Sequence, residues 1–295
     1  MTTRCSALSF LILSLLSSTY GSAIEPRACG GFLYVGDEDV IEAPFQENCE
    51  WQIQTDEKHV LAFSLVHGGD FAAAQEFFSI HDGLDVIQLE NQIHHKVGLT
   101  SGELITTVYT SSSEVEIRFK KTPASPLKLK IQKAVDCPFN LGSESQCGRI
   151  TDETSCYCAT FTKRGQGNHT TYCSDNNMKL VSIEDNNEEN TIYLAWGTLV
   201  NFWTSGTYNK TTGIWTWSST MANLYPGYTD WAPFEPNNTL VDGNCLTIKN
   251  GWYDDPCANL YDAICESHPE DFIDTTTELY YTSTEDGVSP TSDAL

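Results

Sequence analysis

Positive charge is scarce in this sequence. Sixteen Lys and Arg residues stand against 40 Asp and Glu, a formal net charge of −24 over 295 residues. So acidic a chain repels nucleic acid and anionic lipid, which makes both poor partners. Long apolar runs are missing too. The run Ala7–Leu16 is too short to span a bilayer, and no later stretch approaches the roughly 18 consecutive apolar residues of a membrane helix. There is no heptad stretch for a coiled-coil stalk, so avidity would need another contact. Catalytic signatures are also lacking: no His-Glu-x-x-His, no Gly-x-Ser-x-Gly turn. The expectation is a binding protein and not an enzyme.

What is present starts with an N-terminal pattern. A basic start (Met1–Arg4), a short apolar core and the small residues Gly21-Ser22-Ala23 read as a secretory signal peptide over 1–23. The expected location is therefore secreted and extracellular. Eleven cysteines occur, Cys5 leaves with the signal, and ten remain. An even number in a secreted chain implies disulfides, not zinc ligands or catalytic thiols.

The mature chain divides into three parts. Residues 29–136 hold only Cys29 and Cys49. Here "NCEWQIQ" alternates Cys49, Trp51 and Ile53 on one face. "VLAFSLV", "EFFSIHDG", "ELITTVYT", "EVEIRF" and "LKLKIQ" follow, separated by Gly, Ser, Pro and Asp. Short strands at regular spacing without an amphipathic helix predict a β-sandwich. His94-His95 invites a metal reading, but adjacent strand residues point to opposite faces, so a polar loop is expected. Residues 137–267 hold eight cysteines and six of the seven tryptophans. Their clearest helix is "SIEDNNEENTIYLAWGTLV", capped by Ser182 or Asp185, with acids in its first turn and Ile192, Ala195, Trp196 and Leu199 at helical spacing. Residues 268–295 are acidic and rich in Ser and Thr, with seven acids and no Lys or Arg from Glu270 onward. Such a tail is expected to be disordered and solvated, and dispensable for folding. The fold class expected overall is mostly β with α+β content.

Two resemblances sharpen this. The opening "CGG", the "NCEWQI" strand and "FFSIHDG" give residues 29–136 a resemblance to CUB domains, whose surfaces dock extracellular proteins. It departs from that family where Ala73 stands near an expected cysteine. Glu76 could match one calcium ligand, but Lys120 and Lys121 stand where a late aspartate is wanted, which argues against calcium there. Residues 137–267 resemble a C-type lectin-like domain, as in invertebrate lectins. The carriers are "YCSDNNMKLVSIEDNNEEN", "FWTSGTYNKTTGIWTWSS", "YTDWAPFEPNN", "NCLTI", "WYDDPC" and "AICE". The resemblance implies the pairs Cys173–Cys265 and Cys245–Cys257, and Cys29–Cys49 in the first part. Cys137, Cys147, Cys156 and Cys158 are left. Pairing Cys156 with Cys158 is poor geometry for strand residues two apart, and the other two connectivities stay open.

The lectin-like resemblance also implies a site. Glu235-Pro236-Asn237 is the family's motif for mannose-type sugars. In that family the peptide before the proline is cis, and both side chains bind Ca2+ and sugar hydroxyls together. Asp254 matches a further shared ligand. The family glutamate before the next cysteine is Gly243 here, with Asp242 as a substitute, and the family amide before Asp254 is Tyr253. Calcium takes six to eight oxygens, so Glu235, Asn237 and Asp254, helped by Asp242, imply weak binding. The expected partners are glycans or glycoproteins, in microbial recognition or extracellular adhesion. The alternative is a calcium-independent protein-binding module with a degenerate sugar site. Three sequons occur. A glycan on Asn237 would remove it as a ligand, but folded loops and fast disulfide closure often prevent modification, so Asn168 and Asn209 are the expected N-glycosylation sites.

Overall fold

Period-two alternation of apolar residues builds the first region. The computed structural model describes residues 30–42, 48–67, 69–89, 92, 95, 97, 104–125, 127–138, 140–237 and 244–272. Nine strands precede residue 136: β1 (Gly31–Tyr34), β2 (Glu38–Glu42), β3 (Glu50–Gln54), β4 (His59–Leu65), β5 (Phe78–Asp82), β6 (Asp85–Val86), β7 (Thr107–Tyr109), β8 (Glu114–Phe119) and β9 (Lys128–Val135). One sheet runs β1-β3-β8-β5-β6 and the other β2-β9-β4-β7. In β3 Trp51 and Ile53 are buried while Glu50 and Gln52 face solvent, as the alternation predicts. The inner faces share one core that includes Trp51, Ile53, Phe63, Phe78, Ile117 and Ile131. The result is a β-sandwich. A four-residue helix, α1 (Phe71–Ala74), is capped by Asp70. Lys121 pairs with Glu76 at 2.8 Å, so the acid nearest to a calcium ligand in this region faces an ammonium instead.

The second region is built around a mixed sheet. Its strands are β10 (Ser145–Gly148), β11 (Cys156–Arg164), β12 (Lys179–Leu180), β13 (Phe202–Asn209), β14 (Ile214–Trp217), β15 (Cys245–Ile248), β16 (Trp252–Asp255) and β17 (Tyr261–Ser267). The order is β10-β11-β17-β13-β15-β16, with β12 beside β17 and β14 beside β13. Two helices pack on it, α2 (Gln166–Asp175) and α3 (Asn186–Trp196). The mostly β, α+β expectation holds. Cys173–Cys265 and Cys245–Cys257 pair as the resemblance implies. The open question resolves as Cys137–Cys156 and Cys147–Cys158. The antiparallel register sets Cys147 directly opposite Cys158 across β10 and β11. Cys49 is disulfide-bonded, but Cys29, its expected partner, lies outside the described residues, as does the expected signal peptide.

Several expectations need correction. Asp185 caps α3 by accepting from Glu188 N at 2.8 Å, whereas Ser182 instead donates to Glu266 Oε1 at 2.9 Å. Leu199 lies past the helix and is 86% exposed. Its place in the helical stripe fails because α3 ends at Gly197, whose φ is 87°. The helix α2 is unforeseen. Its buried stripe is Gln166, His169 and Cys173, at helical spacing but polar, so a count of apolar residues misses it. Gln166 Nε2 donates to Thr204 O at 2.9 Å and Gly206 O at 3.0 Å, and His169 Nε2 donates to Tyr261 O at 2.9 Å.

The expected tail boundary at 267 falls short of the folded chain. Pro269–Phe272 form a 3-10 turn. His59 Nε2 donates to Pro269 O at 2.8 Å, Ser155 Oγ lies 2.8 Å from His268 Nδ1, and Lys179 pairs with Asp271. These contacts dock the first residues of the expected tail. Residues 273–295 lie outside the described ones.

The two regions are joined by a buried cation. The outer face of the β4 sheet carries Val60, Ala62, Tyr109 and Ala134, all buried. The Arg149 guanidinium sits 4.1 Å from the centre of the Tyr109 ring. It donates to Val135 O at 2.6 Å, Ser155 O at 2.9 Å and Thr154 O at 3.0 Å. Tyr109 OH donates to Glu153 Oε2 at 2.6 Å. His95 stacks on Tyr109 at 4.8 Å and accepts from Arg149 N through its carbonyl. It belongs to this joint; His94 lies outside the described residues.

Candidate functional site

The segment after Trp231 is hung on β16. Ala232 N donates to Trp252 O at 2.9 Å, and Trp252 N donates to Asp230 O at 2.7 Å. Glu235 N then donates to Ala232 O at 3.0 Å, closing a tight turn with Pro233 and Phe234 in its centre. The Glu235–Pro236 peptide is cis, as is Tyr225–Pro226. At the far side of the loop, β15 pairs with β16 in the register Cys245↔Asp255 and Leu246↔Asp254. The Cys245–Cys257 bridge ties both strands to the following turn at a Cα separation of 5.1 Å.

Three of the predicted residues converge. Asp254 is buried, and its Oδ1 accepts from the Asn237 backbone N–H at 3.0 Å. Asn237 Nδ2 donates to Glu235 Oε2 at 3.3 Å. Burial first, and then the hydrogen-bonded, like-charged Asp254, hold Glu235 above its ordinary carboxylate range. Asp242 and Gly243 lie outside the described residues. Tyr253 stands half-buried opposite Thr247.

Asn244 is a member of the site that sequence reasoning passes over. It is 1% exposed, and its Nδ2 donates to Asp254 Oδ2. Its Oδ1 is buried without a hydrogen-bond partner among the described residues. The signal for it is positional: a polar residue directly before Cys245 enters β15 beside the Asp254 strand. Two carboxylates and two amides, one of them with an orphaned carbonyl oxygen, offer an oxygen acceptor set. Such a set suits a hard cation, which would relieve both the carboxylate repulsion and the unpaired oxygen. Among the described residues no group of three or more His, Cys, Asp or Glu forms a metal cluster, so the amides are needed to complete any shell.

A second polar network supports the site from beneath. The sequence reads Glu188 and Glu189 as acids complementing the α3 dipole, but both are buried. Glu189 Oε1 accepts from Tyr193 OH at 2.8 Å and Trp252 Nε1 at 2.9 Å, and Oε2 accepts from Tyr228 OH at 2.5 Å. It therefore fixes Trp252, two residues from Asp254. Glu188 accepts from Tyr157 OH and Glu184 N, each at 2.9 Å, and burial pushes its carboxyl up to about 7. Burial pulls the His268 imidazole down, but its contact with Glu266 and the charges of Glu266, Glu270 and Asp271 outweigh this and raise it to about 9.

Comparison with known proteins finds relatives of the second region. Residues 163–267 match the family model of the lectin C-type domain. The E-selectins of Sus scrofa and Bos taurus are each 30% identical over 101 residues, covering 32% of this chain and 21% of theirs. The chain thus spans about a fifth of the length of the curated relatives it matches. The mouse scavenger receptor C-type lectin carbohydrate-recognition domain aligns at 23% identity and a TM-score of 0.37, over 41% of this chain and 93% of that one.

Proposed function

We propose that this chain is a secreted carbohydrate-binding protein whose C-type lectin domain holds a sugar through a bound calcium ion. The observation that carries the reading is the hydrogen-bonded convergence of Glu235, Asn237, Asn244 and Asp254. Glu235 and Asp254 would hold the ion through carboxylate oxygens, and Asn237 and Asn244 through amide oxygens; when bound, it would supply a Lewis-acid point for sugar hydroxyls. Glu235 accepts a hydroxyl hydrogen bond and Asn237 donates one, which orients the ring. The Glu-Pro-Asn order supports a mannose-type preference. With Gly243 and Tyr253 in place of two family ligands, and Asp242 as the nearby substitute, affinity for the ion is weak, on the order of 10⁻⁴ to 10⁻³ M as in other extracellular sites.

The reading extends to the whole chain. Residues 29–136 act as a CUB-like protein-docking domain, and residues 137–272 as the sugar-binding domain. Asn168 and Asn209 are exposed and carry N-glycans. The cellular role is microbial recognition or extracellular adhesion. Tyr253 favours one competing reading, a calcium-independent protein-binding module, because a phenol replaces an amide ligand. A mannose column run with calcium and then with chelator separates the two. The carbohydrate reading expects retention that chelator abolishes, and Glu235→Gln with Asn237→Asp shifts retention toward galactose. Failure to bind any glycan on an array in calcium favours the protein-binding module.

A further inference from the structure

The turn that carries Glu235 contains a residue that its backbone disfavours. Ala232 to Glu235 form a turn closed by Glu235 N–H donating to Ala232 O at 3.0 Å. Pro233 occupies the second position, and Phe234 the third with φ 72°. That position needs a left-handed backbone and is the glycine position of such a turn. A bulky side chain there is strained. Packing does not offset the strain, because Phe234 is 97% exposed. An aromatic ring thus stands in solvent, on a backbone that favours glycine, directly beside Glu235.

A sugar ring has a polar rim of hydroxyls and a flat, apolar C–H face. Glu235 and Asn237 address the rim. An aromatic face next to them addresses the other surface, and burying both surfaces on binding is favourable. Resting on the carbohydrate reading above, we infer that Phe234 is a sugar-contacting residue, whose ring stacks on the apolar face of a pyranose held at Glu235 and Asn237. Met221 is the internal comparison. It too is left-handed, with φ 61°, and 82% exposed, but no candidate ligand adjoins it in sequence.

The test uses the full-length protein in saturating calcium, titrated with methyl α-mannoside and methyl β-galactoside. Calcium affinity is measured separately. Phe234→Gly relieves the backbone, so it should melt no lower than the native protein and bind calcium equally. It should lose sugar affinity by about tenfold or more, about 1.4 kcal/mol. Phe234→Tyr should restore most of that affinity, and Met221→Gly should leave it unchanged. Saturation transfer between the ring protons and sugar C–H protons should be seen in the native protein. If the native protein binds sugar and Phe234→Gly binds it equally, this inference falls and the carbohydrate reading stands. If the native protein binds neither sugar in calcium, the carbohydrate reading fails and takes this inference with it.

Discussion

Among the described residues the sandwich buries no carboxylate, whereas the second region buries five: Glu188, Glu189, Asp254, Asp262 and Glu266. The second region also contains four disulfides. The sandwich orders itself by apolar alternation on two facing sheets. The other region buries polar groups as well, and cross-links help to offset the cost of burying them. Function is therefore expected where the interior is least hydrocarbon-like.

The largest effect that would sharpen this contrast is removal of Cys173–Cys265, whose partners are 92 residues apart. Cys173→Ser with Cys265→Ser should cost about 4.6 kcal/mol on chain-entropy grounds. Calorimetry should show the single native transition splitting, with the second region melting ahead of the sandwich. Ile53→Ala should do the reverse, costing about 3 kcal/mol in the sandwich alone.

Arg149→Met would break the joint between the regions. It strips hydrogen bonds from the carbonyls of Val135, Thr154 and Ser155, at a cost of roughly 3 kcal/mol. A single transition should split into two. An unchanged single transition would mean that the regions are coupled by something other than this cation.

Next in size is the pH response of the second region. Glu188 is raised to about 7 and His268 to about 9, so the folded state holds both protons more tightly than the unfolded chain. The Glu188 contribution is complete below the ordinary carboxylate pKa and is lost as pH rises through about 7. That of His268 is complete below the ordinary imidazole pKa and is lost as pH rises through about 9. The melting temperature of the second region should decline across this range. Glu188→Gln should flatten the lower part of the decline and His268→Gln the upper part. A flat native profile would contradict the assignment.

Legibility in the sequence followed the same divide. The strands of the sandwich could be read because burial there follows hydrophobicity, as Trp51 and Ile53 show. The helix α2 could not, because its inward stripe is Gln, His and Cys. Glu188 and Glu189 resemble ordinary first-turn acids, and only tertiary packing reveals the tyrosines and the tryptophan that they serve. The Glu235, Asn237 and Asp254 trio was legible through motif order. Asn244 was not, since its importance comes from the β15–β16 register. The docked turn after Ser267 was hidden inside an acidic, Ser- and Thr-rich composition, because its contacts run mostly through backbone and single polar groups.

In the proposed site, an oxygen shell at Glu235, Asn237, Asn244 and Asp254 would hold calcium weakly because Gly243 and Tyr253 leave it incomplete. Calorimetric titration of calcium into the native protein and into Gly243→Glu with Tyr253→Asn tests this directly. Weak binding is expected in the native protein and binding at least about tenfold tighter, about 1.4 kcal/mol, in the double variant, together with calcium-dependent retention on mannose. No calcium heat in either protein would contradict it.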